Sequence, residues 1–375
     1  MALKVVTFAC NHSRLGGDNM SMLGVIEGLR AHGVIATVVL PEKGDIEVKL
    51  RNLMVKYVII DHRVHASTRK ISILFTQLKF IYYLYVFRSD ILHSNDVFCN
   101  RFVARVGKIL KIPTVCHVRF MVNEDQLTYY FNPQPSHIVF NSKFMKNEFI
   151  KSCPKYKISD VSSVVYNPIL ASNYYKPQFR QEVRDQWIAG SRFVVSIVGN
   201  ISKNKGHFEF VEIAKKLLEF NKDFLFVVIG QDISEDQNQL EAFLGLVDKY
   251  NLGGNFVLHG VATDMGKLFA GVDLLLFPSH FESFGRVVVE SLLASVPVVA
   301  SRVGGLIEIL EGNPAARLVD IGNVDAFVEA VLEVRGLAKG KEGVAASSGK
   351  EIIEKSFSFE KSVSDLMRIY KKLKE

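Results

Sequence analysis

Leu274-Leu-Leu-Phe277-Pro278-Ser279-His-Phe-Glu282-Ser283-Phe284-Gly285-Arg286-Val287-Val-Val-Glu290 reads as a strand, a loop and the start of a helix. The short apolar run Leu274–Phe277 has the unbroken hydrophobicity of a strand buried on both faces, as in a parallel sheet. Pro278 ends it, because proline cannot donate to the ladder. Glu282 falls in the loop, and Gly285 lets the backbone turn closely where a helix over Arg286–Ala294 begins.

The same strand-loop-helix unit repeats on both sides of this stretch. Upstream, strands are predicted over Lys4–Ala9, Ile35–Leu40, Tyr57–Ile60, Ile91–His93, Thr114–His117, His137–Asn141 and Val164–Tyr166, with helix-length segments between them such as Asn19–Ala31 and Ser72–Phe87. The stretch Asn167–Arg192, with Pro168, Pro177 and many polar residues, breaks the rhythm and reads as a connection leading into a short helix. A second series follows at Phe193–Val198, Phe224–Ile229, Asn255–His259, Leu274–Phe277, Val296–Ala300 and Arg317–Val319, with helices over His207–Phe220 and Leu240–Tyr250. Phe359–Leu373 closes the pattern as an amphipathic helix. Alternating β and α elements in two runs predict an α/β chain of two Rossmann-like domains facing a central cleft. The expected division is 1–180, 181–356, and a closing helix within 357–375 that packs back on the first domain.

The 375 residues suit two or three domains, and 48% hydrophobic with 23% charged residues is the balance of a packed globular protein. Cys10, Cys99, Cys116 and Cys153 have no CxxC spacing, which points away from a zinc site or a disulfide frame and toward a reduced, cytoplasmic setting. The apolar run after Lys4 is too short for a signal peptide and reads as a first buried strand. Charge is uneven: residues 1–170 carry 22 Lys+Arg against 12 Asp+Glu, while the remaining residues carry 24 against 27. A basic first half can face an anionic membrane, an anionic acceptor or nucleic acid. Without any nucleic-acid-binding motif, nucleic acid ranks last.

Ile71–Arg88 is apolar almost all round, interrupted by Gln77 and Lys79 and flanked by Arg69, Lys70 and Arg88. A membrane span would need about 20 cleaner residues. Two readings remain: a buried crossover helix, or a helix whose aromatic and basic residues touch a membrane surface.

Three segments can carry chemistry. At the helix start around Phe284, Gly285, Arg286 and Val287, backbone N–H groups and the positive end of the helix suit a phosphate or another electronegative oxygen. Arg286 adds a positive side chain there if it points inward. Glu290, one turn on, can accept from both hydroxyls of a ribose, and Glu282 from hydroxyls of a sugar. Two glutamates eight apart mean little alone; their strand-to-helix setting gives the pair weight. The second segment is Gly199-Asn200-Ile-Ser-Lys203-Asn-Lys205-Gly206, after a strand and before a helix. It is neither a Walker loop nor GxGxxG, yet Lys205 can set an ammonium against a diphosphate that gains charge as its sugar departs. The third is Gly16-Gly17 at the first turn, weak by itself, with His93 and His117 at strand ends where α/β proteins bind ligands. Of these two histidines only His117 is taken as functional.

These segments, in this order, resemble the retaining glycosyltransferases of family 4, which have the GT-B fold. The resemblance rests on Gly16-Gly17, Asp90-Ile-Leu-His93, His117, Asn141-Ser142, Tyr166-Asn167-Pro168, Gly199 with Lys205-Gly206, Gly230, Gly260, Asp273, Pro278-Ser279, the Glu-x7-Glu pair Glu282 and Glu290, Gly304-Gly305, Phe357-Ser358 and Tyr370. It implies a nucleoside-diphosphate-sugar donor, UDP- or GDP-linked, held by the second domain, and an acceptor received by the first. By this likeness Glu290 holds the ribose, Lys205 and Asn200 lie at the diphosphate, and Glu282 with the backbone of Phe284, Gly285, Arg286 and Val287 holds the sugar. Gly16, Gly17 and His117 approach it from the first domain, and Lys205, Glu282 and His117 make up the catalytic set. The resemblance further implies retention of configuration, no metal and no further cofactor. Asn200 stands where the family often has arginine, and Ser283 where glycine is commoner; both bear on donor choice.

The expected role is therefore sugar transfer to a glycan or lipid-linked acceptor in polysaccharide, lipopolysaccharide or glycolipid assembly, in the cytoplasm or peripherally at the cytoplasmic membrane face. A nucleotide-sugar epimerase of the same fold and a catalytically silent binding subunit are the alternatives; a dehydrogenase is disfavoured by the missing GxGxxG.

Overall fold

The structure, a computed structural model, describes residues 3–63, 70–156, 158–234, 236, 238–337 and 342–375; the side chains of 70–73, 337 and 342–344 are not among them. Arg69 and the side chains of Lys70 and Ile71, which entered the reading of the Ile71–Arg88 segment, lie outside the described residues.

Two parallel sheets form. The first contains β1 (Val5–Ala9), β2 (Ile35–Leu40), β3 (Lys56–Ile59), β4 (Ile91–Ser94), β5 (Thr114–Val118), β6 (His137–Phe140) and β7 (Ser162–Val164), in the order β3-β2-β1-β4-β5-β6-β7. The second contains β8 (Phe193–Val198), β9 (Phe224–Ile229), β10 (Phe256–Gly260), β11 (Leu274–Phe277), β12 (Val298–Ser301) and β13 (Ala316–Val319), in the order β10-β9-β8-β11-β12-β13. Both are Rossmann-like. In each, the order reverses beside the first strand, between β1 and β4 and between β8 and β11. Ligands of open α/β sheets settle beyond the carboxyl ends of strands at such a reversal. The topology therefore directs attention to the loops after β1, β4, β8 and β11.

The chain divides into two compact units: residues up to Ile169 together with Phe357–Glu375, and Leu170–Ser356. The division thus falls ahead of the expected 180/181 boundary. The connecting stretch is fastened to the second sheet: Arg184 pairs with Asp273 at 2.9 Å, and the same carboxylate accepts the Val194 N–H at 2.8 Å at the start of β8. Asp273, one of the residues carrying the resemblance, is thereby a structural clamp.

The Phe359–Lys374 helix returns to the first unit. Its Val363, Leu366, Met367, Ile369 and Tyr370 join Met22, Ile26 and Leu29 of the Gly17–Ala31 helix in one buried core. Strand edges shift where the backbone demands it. The strand expected from Val296 starts instead at Val298, because Pro297 has no N–H for the ladder; its carbonyl still accepts from Leu275.

The Lys70–Phe87 helix is a crossover between β3 and β4 but is not wholly buried. Phe80 and Leu84 sink into a cluster with Ile60, Phe102 and Val103, while the opposite side of the helix is exposed. Uniform hydrophobicity erased the periodicity that would have marked an outer face. Among the described residues, no helix is long and apolar enough to cross a membrane. All four cysteines are buried and unpaired.

Candidate functional site

In the second unit, the loops after β8 and β11 are built against each other. Gly206 caps the His207–Phe220 helix with φ of 77°, and a Cβ there would lie 2.1 Å from the Pro278 carbonyl oxygen. Only glycine satisfies both the left-handed backbone and that approach. The Asn204 carbonyl accepts the His280 N–H at 2.9 Å and the Ser279 hydroxyl at 3.1 Å. Across this seam Lys205 Nζ meets Glu282 Oε2 at 2.6 Å, with both side chains partly exposed. Two of the residues picked from sequence are thus brought into direct contact. Asn200 stands exposed on the same β8 loop.

Gly285, at φ of 96°, caps the Arg286–Leu293 helix, and the Glu282 carbonyl accepts the Gly305 N–H at 3.0 Å. The positive end of this helix opens at the loop that carries Glu282. Phe284 is buried and holds the loop down; Val287 is half-buried in the first turn.

Glu290 is buried, and its Oε1 accepts from the Tyr174 phenol at 3.0 Å and from Arg286 Nε at 2.6 Å. Burial holds its carboxyl above the usual carboxylate range, against the pull of Arg286 and Tyr174. Burial and the Glu290 charge likewise raise the Tyr174 phenol. Arg286, read from sequence as a positive group for an anion, turns its guanidinium to Glu290, four residues on. Tyr174 sits in the connecting stretch 116 residues from Glu290. No signal in the sequence pointed to it.

In the first unit, a second polar cluster lies beyond the carboxyl ends of β1, β4 and β5. Gly16 caps the Gly17–Ala31 helix in extended backbone, and a Cβ on it would press the Asp18 carboxylate at 2.7 Å. His12 Nε2 contacts Asp18 Oδ2 at 3.0 Å. That hydrogen bond raises the His12 imidazole; burial works to raise the Asp18 carboxyl, but His12 overcomes it and holds it low. Asp96, after β4, is pushed up to about 6 by burial and by the Asp18 charge.

His117 is buried on β5. Its Nδ1 lies 3.2 Å from Arg119, whose guanidinium also donates to Asn95 and Asn167. A guanidinium can only donate, so Nδ1 is the acceptor and the proton sits on Nε2. Burial, then the charge of Arg119, then His93 drive the His117 imidazole well below its ordinary value, so it is neutral. Its Nε2 is buried without a partner among the described residues. His93, 5.7 Å from His117 between ring centroids, is bonded through Nδ1 to the Tyr370 phenol of the returning helix and has a pKa lowered to about 3 by burial and Arg119. That contact ties β4 to the returning helix, and His93 Nε2, like that of His117, is buried without a partner among the described residues. Asn95, Asp96, Arg119 and the His12–Asp18 pair were missed in the sequence. The first two directly follow a strand end at the sheet's reversal, which could have marked them.

Residues 179–337 match the family model described as glycosyl transferases group 1. The chain is 28% identical over 163 residues to the 2-deoxystreptamine N-acetyl-D-glucosaminyltransferase of Niallia circulans, covering 43% of this chain and 41% of that one. It is 24% identical over 235 residues to the capsular polysaccharide biosynthesis glycosyltransferase CapM of Staphylococcus aureus, covering 62% of this chain and 60% of that one. The chain thus spans about half the length of these curated relatives. The crystal structure of HepE from Anabaena in complex with UDP and glucose superimposes with a TM-score of 0.84 at 19% identity, over 98% of this chain and 99% of that one. The two sheets are those of the GT-B fold, and through residues 179–337 the chain is similar to the group 1 glycosyl transferases.

Proposed function

We propose that this chain is a retaining glycosyltransferase that moves a sugar from a nucleoside diphosphate to an acceptor hydroxyl in polysaccharide or glycolipid assembly. The observation that carries the reading is the Lys205–Glu282 contact of 2.6 Å, which joins the loops after β8 and β11 at the reversal of the second sheet. An ammonium and a carboxylate held there, beside a helix N-terminus, suit a diphosphate on one side and sugar hydroxyls on the other. The match of this unit to group 1 glycosyl transferases and the HepE structure with UDP and glucose support a UDP-sugar donor. The capsular polysaccharide relative supports a glycan or lipid-linked acceptor, assigned to the first unit.

In this reading the bond from the anomeric carbon to the diphosphate oxygen breaks, and its electron pair stays with the diphosphate. Lys205 and the positive end of the Arg286–Leu293 helix stabilise that charge. Lys205 must then exchange Glu282 for the phosphate, which releases Glu282 to accept from the sugar. The acceptor hydroxyl forms the new bond on the same face, and its proton passes to the departing diphosphate oxygen. Glu290, held in place by Tyr174 and Arg286, accepts from the ribose. His117 takes part as a neutral Nε2–H donor and not as an acid, because its imidazole is held unprotonated. No divalent metal is invoked.

The test is a thermal-shift screen over UDP-, GDP-, ADP- and CMP-linked sugars, followed by transfer assays with and without EDTA and NMR of the product anomer. Stabilisation by a UDP-sugar and a product of unchanged anomeric configuration are expected. Inversion, or loss of activity in EDTA, would overturn the mechanism. Conversion of the donor without any acceptor would make the chain an epimerase instead.

A further inference from the structure

The Lys70–Phe87 helix carries two apolar faces where the fold uses one. Phe80 and Leu84 fill the inward side at 0% and 1% exposure. On the outer side Leu74, Phe75, Leu78, Tyr82, Tyr85 and Val86 are all exposed, Tyr85 to 83%. Their spacing places them along one stripe about three turns long. A helix packed on one side of a sheet is ordinarily polar on its other side. A continuous exposed stripe of aromatic and aliphatic side chains marks an interaction surface.

We propose that this stripe, with the basic groups gathered at the amino edge of the first sheet, docks on the surface of an anionic lipid bilayer. The helix ends at Arg88, which leads into β4. There a groove of about 690 Å³ opens between Tyr82, Tyr85 and Arg88 on one side and Leu110 and Ile112 on the other. Lys108 and Lys111, exposed at the end of the neighbouring Asn100–Leu110 helix, flank its far wall. The returning helix reaches the same edge: Lys374 pairs with Asp90 at 2.7 Å, two residues beyond Arg88. Asp90 in turn accepts the backbone N–H groups of Lys4 and Val5, beside the amino ends of β1 and β4. The rest of that helix packs with the Gly17–Ala31 helix on the face of the sheet opposite Phe80 and Leu84, and its Arg368 is paired with Asp365, so the lysines that share the stripe's side are Lys79, Lys108 and Lys111.

Charge decides the partner. The first unit carries 27 Lys+Arg against 15 Asp+Glu, and the second 19 against 24. A second copy meeting this face would bring the same basic edge to it. A polyanionic surface with an apolar interior fits both features: lysines reach the headgroups, and tyrosines and leucines enter the boundary beneath them. Tyrosine suits that depth because its ring is apolar and its hydroxyl is not. The helix lies on such a surface and does not cross it. The proposal does not depend on the transfer reaction.

The experiment is co-sedimentation of the full chain with vesicles of phosphatidylcholine alone or mixed with phosphatidylglycerol, at low and high salt. Binding to the mixed vesicles is expected, about tenfold or more above neutral ones and weakened by salt. Two double variants divide the surface: Tyr82→Glu with Tyr85→Glu, and Lys108→Glu with Lys111→Glu. All four side chains are at the surface, so unchanged thermal midpoints are expected, and each pair should lower vesicle binding about tenfold. No binding to anionic vesicles overturns the proposal, as does equal binding by the tyrosine variant or the lysine variant. A concentration-dependent dimer in analytical ultracentrifugation that the tyrosine variant abolishes would overturn it too, by assigning the stripe to a second copy.

Discussion

The Tyr174 phenol donates to Glu290 Oε1 at 3.0 Å, and Arg286 Nε reaches the same oxygen at 2.6 Å. One oxygen of a buried carboxylate thereby accepts from two protein donors, which fixes the carboxylate plane; under the proposed function the same carboxylate meets a ribose hydroxyl. Hydrogen bonds to a charged group contribute about 1.5–3 kcal/mol. Glu290→Gln should therefore weaken nucleotide binding by one to two orders of magnitude, about 10–100-fold, read by calorimetry with UDP. Tyr174→Phe should raise the donor KM less and lower the melting temperature, since it removes one donor from a buried acceptor. Unchanged affinity in Glu290→Gln would end the ribose assignment.

Lys205 should matter for rate and little for stability. Its pair with Glu282 is partly exposed, and such pairs contribute about 0–1 kcal/mol to folding. If the ammonium neutralises the leaving diphosphate, Lys205→Ala should lose about 100-fold or more in kcat with a melting temperature near that of the wild type. Full activity in that variant would remove the leaving-group role.

Gly206→Ala should damage the fold of this site before its chemistry. The added carbon would sit 2.1 Å from the Pro278 carbonyl and would also hold an unfavourable φ of 77°. Displacement of either loop costs about 1–3 kcal/mol by backbone strain alone. A lowered melting temperature together with lost donor binding is expected. A variant that melts with the wild type would mean that the two loops are not clamped as described.

Acid should destabilise the protein from near neutrality downward. His93, lowered to about 3, and His207, lowered to about 4, are held neutral chiefly by burial, and His117 is driven down in the same way. Their unfolded value is 6.5, so below it the unfolded chain takes up protons that the folded chain refuses. The stabilisation is complete above 6.5 and shrinks as pH falls toward those depressed values. Asp96 acts in the opposite sense: raised to about 6, its contribution is present below 3.8 and is lost as pH rises through 6. His62, His137 and His259 are lowered by burial as well, and the six lowered histidines outweigh the raised carboxyls of Asp96, Glu27 and Glu290 and the raised His12, so the melting temperature should drop between pH about 6.5 and about 4.5. A flat or rising profile on acidification would contradict the burial of these rings.

What could be read in advance was local. Leu274–Phe277, Pro278 and Gly285 specify a strand, its end and a helix start within one stretch of chain, and the structure has each where it was expected. Lys205 and Glu282 were legible as separate residues because each follows a strand. What was not legible depends on contacts distant in sequence. Tyr174 reaches Glu290 only because the connecting stretch folds onto the second sheet, and nothing in its neighbourhood distinguishes it from Tyr175. The Arg286–Glu290 pair is local, since a carboxylate at i+4 is a common partner for an arginine on a helix. The outer stripe of the Lys70–Phe87 helix was hidden for a different reason: with apolar side chains on both sides and few polar ones such as Gln77 and Lys79 between them, too little period remains to say which side faces the sheet.

The helix over Phe359–Lys374 completes the core of a unit whose other elements all precede Leu170. During synthesis, the first unit emerges from the ribosome early and then waits, its core open where Val363, Leu366 and Tyr370 belong, while the whole of Leu170–Ser356 is made. The second unit is continuous in sequence and can close as soon as it is out. The second unit is therefore able to finish before the first, against the usual order in which amino-terminal domains fold first. A nascent chain halted before residue 359 would hold a finished second unit and an unfinished, aggregation-prone first one, a vulnerability set by chain order and not by the strength of any contact.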